Sequence, residues 1–230
     1  MPESSPPQRN ADLQVGRVVS MPFDENTYVA YFSGQSECIV FDPGLEPRLI
    51  LDFLNERSLT PTAILCTHGH CDHIAGNAAL KERWPKCPIL IGTLDEPKLT
   101  DPDLNLSGAF GLPMTSPPAD YTINEGERFA AAGLDLLVFD TPGHSIGHVA
   151  FLCKQTMPWR LFGGDVLFRG SIGRTDFPDG SFETLQRVIH EKLFTLPDDT
   201  IVHPGHGPDT TIGHEKRTNP FVGIPAGYVN

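Results

Sequence analysis

The most constraining feature of the chain is a cluster of metal-binding side chains, THGHCDH, between an apolar strand and a helix. The apolar run TAILCT predicts the strand, and a helical period begins near Asp72. His68 and His70 can therefore point off the strand end, while Asp72 and His73 project from the first helical turn. Burying these groups so close together would be costly without partners. One loop that serves two neighbouring cations explains the cluster, so the pattern favours a dinuclear metal site.

Three further residues share two features with this cluster, a position after an apolar run and neighbouring glycines. They are His144 in DTPGHSIGH, Asp165 in FGGD and His206 in HPGHG. Glycine lets the backbone approach closely, as a buried site at strand ends requires. Any one of the three could be an ordinary loop residue. Together with the first four they form a set with ligand chemistry, which we predict to be a metal centre.

The order of predicted elements indicates an α/β protein. The strands LQVGRVVSM, NTYVAYF and ECIVFD come first, and helical periods in PRLILDFLNERS and HIAGNAALKERW then alternate with the strands TAILCT and PILIG. In the second half, several strands precede the helix FETLQRVIHEKLFTL, and DTIVHPG is a final strand. No linker divides the chain. We therefore predict one domain over residues 12–230, after a disordered tail at residues 1–11.

The segment at residues 100–120 holds several Pro and Gly residues and has no clear period. A long irregular insertion in a compact domain is often functional. We therefore weigh a partly mobile lid over the site against an ordinary surface loop.

The charge and the cysteines limit the partners and the compartment. A formal net charge of −12 opposes non-specific binding to nucleic acid or to an anionic membrane, because both depend on clustered Lys and Arg. The five cysteines include no CxxC pair, which favours reduced thiols. No run approaches the ~20 apolar residues of a membrane span. We expect a cytoplasmic protein whose partner is a small molecule, and the oligomeric state stays open.

The motifs THGHCDH, TPGHSIGH, FGGDVLF and HPGHG resemble, in order and spacing, the successive motifs of the metallo-β-lactamase superfamily. The resemblance implies a four-layer αββα sandwich with the metals at the edge of the two sheets. It implies two ligand groups: His68, His70 and His144 for the first metal, and Asp72, His73 and His206 for the second. Asp165 would bridge the metals together with a water or hydroxide.

Three further segments, MPFDENTYVAY, VFDPG and GSIGRTDFPDGSF, are similar to the glyoxalase II group, and HPGHGPDTTIGHEKRTNPF is similar to its short branch. The resemblance covers nearly the whole chain beyond the tail. Glyoxalase II enzymes hydrolyse hydroxyacylglutathione thioesters such as S-lactoylglutathione. The resemblance therefore implies a dinuclear metal-dependent thioester hydrolase.

The implied cofactors are two divalent metal ions, zinc and/or iron, with manganese as a further candidate, because His and Asp ligands suit all three. Two such cations lower the pKa of a shared water toward ~7 and supply hydroxide at neutral pH. That hydroxide would attack the thioester carbonyl, and the thiolate leaves without a strong general acid. The predicted catalytic carboxylates are Asp165, as the bridge, and Asp72, as a candidate base.

Two residues outside the ligand set are predicted to support it. The family pattern places Asp42 where a carboxylate orients a ligand imidazole, and we expect it to act on His68. Its alternative role is to form the turn before Pro-Gly. Arg174 is predicted to bind a substrate carboxylate, against a structural pairing with Asp176. We expect no counterpart of the C-terminal helices with which long glyoxalase II enzymes contact glutathione.

Other functions stay open at the level of sequence. Persulfide dioxygenases also resemble this chain, share the GRTDF stretch and use one iron, which His70, His144 and Asp165 would hold here. Iron with open positions suits O₂ chemistry, so metal number and identity separate the two functions. A lactonase and a non-catalytic metal-binding domain are less favoured alternatives, the latter because structural zinc sites are closed and often cysteine-rich.

The remaining histidines are predicted to be structural or solvated. They are His148, His190, His203 and His214. Cys71 lies between the predicted ligands, and we assign it to packing.

Overall fold

The computed structural model describes residues 12–229, so the predicted tail at residues 1–11 lies outside the described residues. The first sheet has six strands: β1 (Leu13–Ser20), β2 (Glu25–Phe32), β3 (Glu37–Phe41), β4 (Thr60–Leu65), β5 (Ile89–Gly92) and β6 (Tyr121–Ile123). The first three strands are antiparallel neighbours, whereas β3 to β6 run parallel. Parallel strands end at the same edge, so the loops after β3 and β4 are neighbours.

The second half of the chain supplies the remaining strands. Their bounds are β7 (Arg128–Ala131), β8 (Leu134–Asp140), β9 (Val149–Cys153), β10 (Arg160–Gly164), β11 (Leu167–Phe168), β12 (Ser171–Ile172), β13 (Ile201–Pro204) and β14 (Thr210–Thr211). The second sheet has the order β14-β13-β10-β9-β8-β7, and β11 pairs with β12 in a separate hairpin. β8, β10 and β13 run in one direction, because β9 is antiparallel to β8 and β10, and β13 is parallel to β10.

Residues 12–229 form five α-helices. Their bounds are α1 (Pro47–Glu56), α2 (Cys71–Ile74), α3 (Asn77–Arg83), α4 (Phe182–Val188) and α5 (Ile212–Thr218). The buried side chains of α1, Ile50 and Leu54, are four residues apart and so share one face. Ser181 caps α4, where its hydroxyl accepts the Thr184 N–H at 3.2 Å. A π-helical turn continues α4, and 3₁₀ turns occur at Glu96–Leu99 and Ile224–Ala226.

Three clusters of buried apolar side chains show how the layers pack. The central cluster lies between the two sheets, and within it the rings of Phe41 and Phe162 stack with centroids 3.8 Å apart. A second cluster joins the first sheet to α1 and α3, and a third joins the second sheet to α4 and α5. The layers are therefore helix, sheet, sheet and helix. This order confirms the predicted four-layer αββα fold.

The prediction of one continuous helix in HIAGNAALKERW is wrong, because α2 ends at Ile74 and α3 begins at Asn77. Gly76 lies at the break, where its N–H donates to the Pro43 carbonyl at 2.7 Å. A Cβ at this position would lie 2.8 Å from the Pro43 Cβ. Contact with the turn after β3 therefore interrupts the helix, which a local sequence period cannot show.

Residues 100–120 contain no helix or strand, as the sequence predicts. The loop is fixed internally by the Asn105 side chain, which donates to the Met114 carbonyl at 3.0 Å. It is fixed to the start of α2 by the Cys71 N–H, which donates to the Asn105 carbonyl at 3.0 Å. The proposed lid is therefore a segment that contacts α2, the helix that carries Asp72 and His73. The mobility of this segment stays a prediction.

The cysteines and the helices bear on two further expectations from the sequence, reduced thiols and the lack of a membrane-spanning run. All five cysteines are buried and unpaired. None of the helices formed by residues 12–229 has the length and apolar character needed to cross a membrane.

The sequence did not predict the short strands β6 and β14, the β11–β12 hairpin or α5.

Substitution of Phe151 tests the central layer. Phe151 is fully buried between the sheets, with its ring centroid 5.7 Å from that of Phe41. Phe151→Ala removes buried apolar area and leaves a cavity. We therefore expect the free energy of unfolding, measured by urea denaturation, to fall by about 3–5 kcal/mol. Phe221→Ala is the control at a 44% exposed ring, with an expected change of about 0.5 kcal/mol or less. Equal effects of the two substitutions would contradict the described packing.

Candidate metal centre

The THGHCDH segment leaves β4 and enters α2, as the sequence predicts. His68 and His70 lie in the loop after β4, while Asp72 and His73 lie within α2. The other three predicted ligands follow strands of the second sheet: His144 after β8, Asp165 after β10 and His206 after β13. Since these strand ends meet at one edge of the sandwich, all seven side chains converge.

Three of these side chains form what we call the three-histidine group, His68, His70 and His144. The Nε2 atom of His144 lies 3.2 Å from Nε2 of His68 and 2.9 Å from Nδ1 of His70. All three rings are buried, and their ligand atoms lie within 4.8 Å of one another. This spacing allows one metal ion to contact all three nitrogens.

A second set, which we call the mixed group, consists of Asp72, His73 and His206. Oδ2 of Asp72 lies 3.4 Å from Nε2 of His206 and 3.7 Å from Nε2 of His73. Their ligand atoms also lie within 4.8 Å of one another. The chain therefore presents two adjacent donor groups, and a third group of His68, His73 and Asp165 overlaps them.

Asp165 lies between the two groups. Its Oδ1 atom is 3.5 Å from Nε2 of His73, and its Oδ2 atom is 3.4 Å from Nε2 of His144. Oδ2 is also 3.5 Å from Nε2 of His206. Oδ2 thus lies near one histidine of each donor group, and Oδ1 lies near a second histidine of the mixed group. The carboxylate therefore occupies the position that the sequence resemblance implies for a bridging ligand.

The outer nitrogens of the rings are held by fixed partners. Nδ1 of His144 donates to the Arg174 carbonyl at 2.7 Å, and Nδ1 of His206 donates to the Phe23 carbonyl at 2.9 Å. A carbonyl only accepts, so these Nδ1 atoms carry a proton, and the neutral form of each ring has its lone pair on Nε2. That lone pair faces the neighbouring donors, as metal ligation requires.

The expected action of Asp42 on His68 is indirect in the structure, because its carboxylate directly faces His73 instead. The Oδ2 atom of Asp42 lies 3.2 Å from Nδ1 of His73, and it also accepts the Thr67 hydroxyl at 2.7 Å. Only this hydroxyl, 3.1 Å from Nδ1 of His68, links Asp42 to His68. Asp42 has a φ of 46°, so it also forms the turn after β3. The sequence identified the supporting carboxylate, but its partner depends on where α2 places His73.

Burial and charge divide the site electrostatically. Burial lowers the pKa of every member of the three-histidine group, so these rings are neutral. Burial alone would raise the pKa of Asp165, but the charges of His73 and His206 hold it well below its usual range. Burial would likewise lower the pKa of His206, but the carboxylates of Asp165 and Asp72 raise it to about 10. In the metal-free chain, His206 therefore carries a proton near neutral pH, and its positive charge faces the carboxylates of Asp165 and Asp72.

Two buried atoms at the centre test whether a metal fits. Nε2 of His73 and Oδ1 of Asp165 are buried without a hydrogen-bond partner, which costs free energy. Gly205 leaves room beside them, since a Cβ there would lie 2.1 Å from Oδ1 of Asp165. Imidazole nitrogens and carboxylate oxygens are ligands of zinc, iron and manganese. The residues therefore fit divalent metal ions.

A cavity of about 320 Å³ opens above the two groups. Its walls are mostly apolar, and the apolar residues are Phe23, Leu106, Phe110, Phe168 and Phe177. Phe177 reaches the floor, with its ring centroid 5.0 Å from that of His70. The sequence did not predict these walls, because isolated phenylalanines outside a longer strand or helix show no helical or strand periodicity. Leu106 and Phe110 show that the loop at residues 100–120 lines the site.

Arg174 lines the same cavity near its opening. Its side chain is 64% exposed, and it forms two hydrogen bonds of 2.9 Å to the carboxylate of Asp176. Its guanidinium carbon lies 4.5 Å from the centre of the Phe177 ring. The pairing with Asp176 that the sequence raised as an alternative is thus present, while contact with a substrate stays a prediction.

The other histidines lie outside the two donor groups. Nε2 of His148 accepts the Asp165 N–H at 3.0 Å, while its Nδ1 lies 2.7 Å from the Thr141 hydroxyl. His148 therefore fixes the backbone of the bridging residue. The remaining contacts are also away from the centre: His190 with the Val222 carbonyl, His203 with Asp209, and His214 with Glu215.

Comparison with known proteins identifies the family. Residues 21–206 match the family model described as the metallo-beta-lactamase superfamily. The probable metallo-hydrolase YqgX of Bacillus subtilis (strain 168) is 40% identical over 202 residues, which are 87% of this chain and 93% of that protein. The hydroxyacylglutathione hydrolase GloC of Haemophilus influenzae is 36% identical over 203 residues, again 87% and 93% of the two chains. The chain therefore belongs to the metallo-β-lactamase superfamily.

Solved structures share the fold over nearly the whole chain. The BLEG-1 B3 metallo-beta-lactamase has a TM-score of 0.86 at 39% identity and covers 91% of this chain and 99% of its own. TTHA1623, solved in a di-iron-bound form, has a TM-score of 0.77 at 39% identity, with coverages of 90% and 100%. ETHE1 from Myxococcus xanthus has a TM-score of 0.76 at 28% identity, with coverages of 94% and 86%. These likenesses agree with a metal-binding enzyme and leave the substrate open.

Metal binding is expected to release protons from the mixed group. His206, with its pKa raised to about 10, is protonated at pH 8 and must lose that proton to become a ligand. The proton therefore competes with the metal at lower pH, and affinity rises as pH approaches about 10. Calorimetric Zn²⁺ titrations at pH 8, in two buffers of different ionisation enthalpy, should show net proton release. His206→Ala should release about one proton fewer, and an unchanged release would contradict the assigned protonation.

Proposed function

We propose that this chain is a dinuclear metal-dependent hydrolase of thioesters, with hydroxyacylglutathione thioesters such as S-lactoylglutathione as its substrate class. The observation that carries the proposal is the position of Asp165 between the two donor groups. One of its oxygens faces His73 at 3.5 Å, and the other faces His144 at 3.4 Å. A carboxylate shared in this way suits two neighbouring metal ions.

The three-histidine group would hold one metal ion and the mixed group the other. Two divalent cations held side by side lower the pKa of water to near neutrality and polarise a carbonyl oxygen. The chain's own contribution is to fix the donors, and backbone carbonyls orient the rings of His144 and His206 for this purpose. Asp72 lines the cavity beside His206, so its carboxylate also faces the space where a substrate would bind.

The titratable groups of the cavity favour a substrate with a good leaving group. Apart from the metal donors, its described lining contains only Cys71 and Arg174 as titratable residues. Burial and the Asp72 charge raise the pKa of Cys71 to about 11, and an arginine keeps its proton at ordinary pH. Both are therefore poor proton donors. A thiolate can depart without a proton, whereas an amine requires one, which supports thioester over amide hydrolysis.

The shape of the cavity suits the rest of such a substrate. Phe177 lies against both His70 and His144, with ring centroids 5.0 and 5.6 Å away, and it limits water at the floor. Arg174, at the rim, would bind a carboxylate of the thiol portion by charge-assisted hydrogen bonds. The relative named hydroxyacylglutathione hydrolase GloC supports this substrate class by its similarity along most of the chain.

A persulfide dioxygenase is the second candidate function, because the GRTDF stretch at residues 173–177 resembles that class of enzyme. One iron could be held by His70, His144 and Asp165. Nε2 of His144 lies 2.9 Å from Nδ1 of His70 and 3.4 Å from Oδ2 of Asp165. That function gives no role to the mixed group. The clustering of Asp72, His73 and His206 is therefore the reason to prefer the hydrolase.

The role of His206 separates the two functions by experiment. We expect the metal-loaded chain to hydrolyse S-lactoylglutathione, and His206→Ala to lower kcat/KM at least about 100-fold because a metal donor is lost. His214→Ala, at a partly exposed histidine in α5, is the matched control with unchanged turnover. Oxygen uptake driven by glutathione persulfide is measured on the same samples. Uptake that survives His206→Ala, with no thioester turnover in the parent chain, would establish the dioxygenase instead.

Substitution of Arg174 tests recognition of the thiol portion. Arg174→Met keeps an unbranched, flexible apolar side chain but removes the guanidinium, so KM for S-lactoylglutathione should rise about tenfold, or about 1.4 kcal/mol, with little change in kcat. A thioester of an uncharged thiol should show no such rise. Equal effects on both thioesters would contradict the assigned carboxylate contact.

A further inference from the structure

A buried carboxylate outside the predicted ligand set holds the loops of the three-histidine group. Asp95 lies in the turn after β5 and is fully buried. A buried charge is costly unless hydrogen bonds and counter-charges offset it. The groups that the Asp95 carboxylate contacts therefore indicate the role of this residue.

Every backbone or hydroxyl partner of the Asp95 carboxylate belongs to one of two ligand-bearing loops. Oδ2 accepts the Gly69 N–H at 2.9 Å, and Gly69 stands between two of the three histidines. Oδ1 accepts the Ser145 hydroxyl at 2.6 Å and the Gly147 N–H at 2.8 Å, on the loop that carries the third. One carboxylate thus joins the loop after β4 to the loop after β8.

The two loops also pack closely against the segment around Asp95. A Cβ at Gly147 would lie 2.3 Å from the Asp95 nitrogen, and a Cβ at Gly69 would lie 2.5 Å from the Lys98 Cβ. Glycine at both positions therefore permits the backbones to reach the carboxylate.

A buried lysine balances the charge and strengthens the same connection. Nζ of Lys98 lies 3.4 Å from Oδ1 of Asp95, donates to the Ser145 hydroxyl, and donates to Asp179 at 2.6 Å. Asp179 in turn accepts the Ile146 N–H at 3.1 Å. The loop that carries His144 is therefore held at three consecutive residues, 145 to 147, by this network.

The mixed group is anchored differently. His73 is held through Asp42, and His206 is held through the Phe23 carbonyl. Among residues 12–229, the recorded hydrogen bonds of the Asp95 side chain lead only to the loops of the three-histidine group. Asp42, in contrast, directly contacts His73 of the mixed group and reaches His68 only through the Thr67 hydroxyl.

We propose that Asp95 is a positioning residue that sets the affinity of the three-histidine group for its metal ion and leaves the mixed group unaffected. The proposal rests on the metal assignment of the proposed function and not on the choice of substrate. Replacement by asparagine keeps the shape but turns one acceptor into a donor that faces N–H groups. Loss of a supporting carboxylate of this kind costs roughly 10–100-fold in metal affinity.

The test measures Zn²⁺ affinity by competition with a chelator in two backgrounds of the full chain. His206→Ala weakens the mixed group, so the tighter remaining site is the three-histidine group, and Asp95→Asn should lower its affinity roughly 10–100-fold. His70→Ala weakens the three-histidine group, and Asp95→Asn should there change nothing. Equal losses in both backgrounds, or no loss in either, would overturn the proposal.

Matched variants separate positioning from general destabilisation. Asp120 also accepts a backbone N–H, from Ile89 at 2.8 Å, and pairs with Lys81 at 2.7 Å, but it lies away from the centre. Asp120→Asn should leave both zinc affinities unchanged. If Asp95→Asn does not fold, Ser145→Ala removes the hydroxyl that donates to Asp95 and accepts from Lys98, and it should weaken only the three-histidine group. A parent chain that binds no zinc would refute the proposed function as well, whereas two bound ions with equal losses would refute this inference alone.

Discussion

The carboxylate of Asp165 is the charge around which the two donor groups are arranged. It is placed by the backbone before it, since Gly164 has a φ of 50° and a Cβ there would lie 2.2 Å from the Thr67 hydroxyl oxygen. His148 then accepts the Asp165 N–H, so the residue is fixed from within the second sheet. Because both oxygens face histidine nitrogens, a change in this one side chain would disturb both groups together.

The sandwich brings these ligands together because it ends several strands at one edge. Strands of the first sheet deliver the HxHxDH loop, and β8, β10 and β13 of the second sheet deliver the other ligands. The central phenylalanine layer fixes the two sheets against each other, as in the stack of Phe41 on Phe162. Packing far below the site therefore sets distances at the site, while supports such as Asp42 and Asp95 make the final adjustment.

The sequence predicted the parts of the site that depend on local pattern. The ligands from His68 to His73 follow from one strand-to-helix turn, and the motif order extended the set to the second sheet. Contacts between distant segments could not be predicted in this way. The partner of Asp42, the helix break at Gly76 and the role of Asp95 each depend on a loop far along the chain. The aromatic wall of the cavity could not be predicted from the sequence for the same reason.

Anomalous diffraction at the zinc absorption edge, from crystals of the zinc-loaded chain, would locate the bound ions. We expect two peaks, one within the three-histidine group and one within the mixed group, with the Asp165 carboxylate between them. A single peak held by His70, His144 and Asp165 alone, with the mixed group unliganded, would contradict a dinuclear centre and support a mononuclear enzyme.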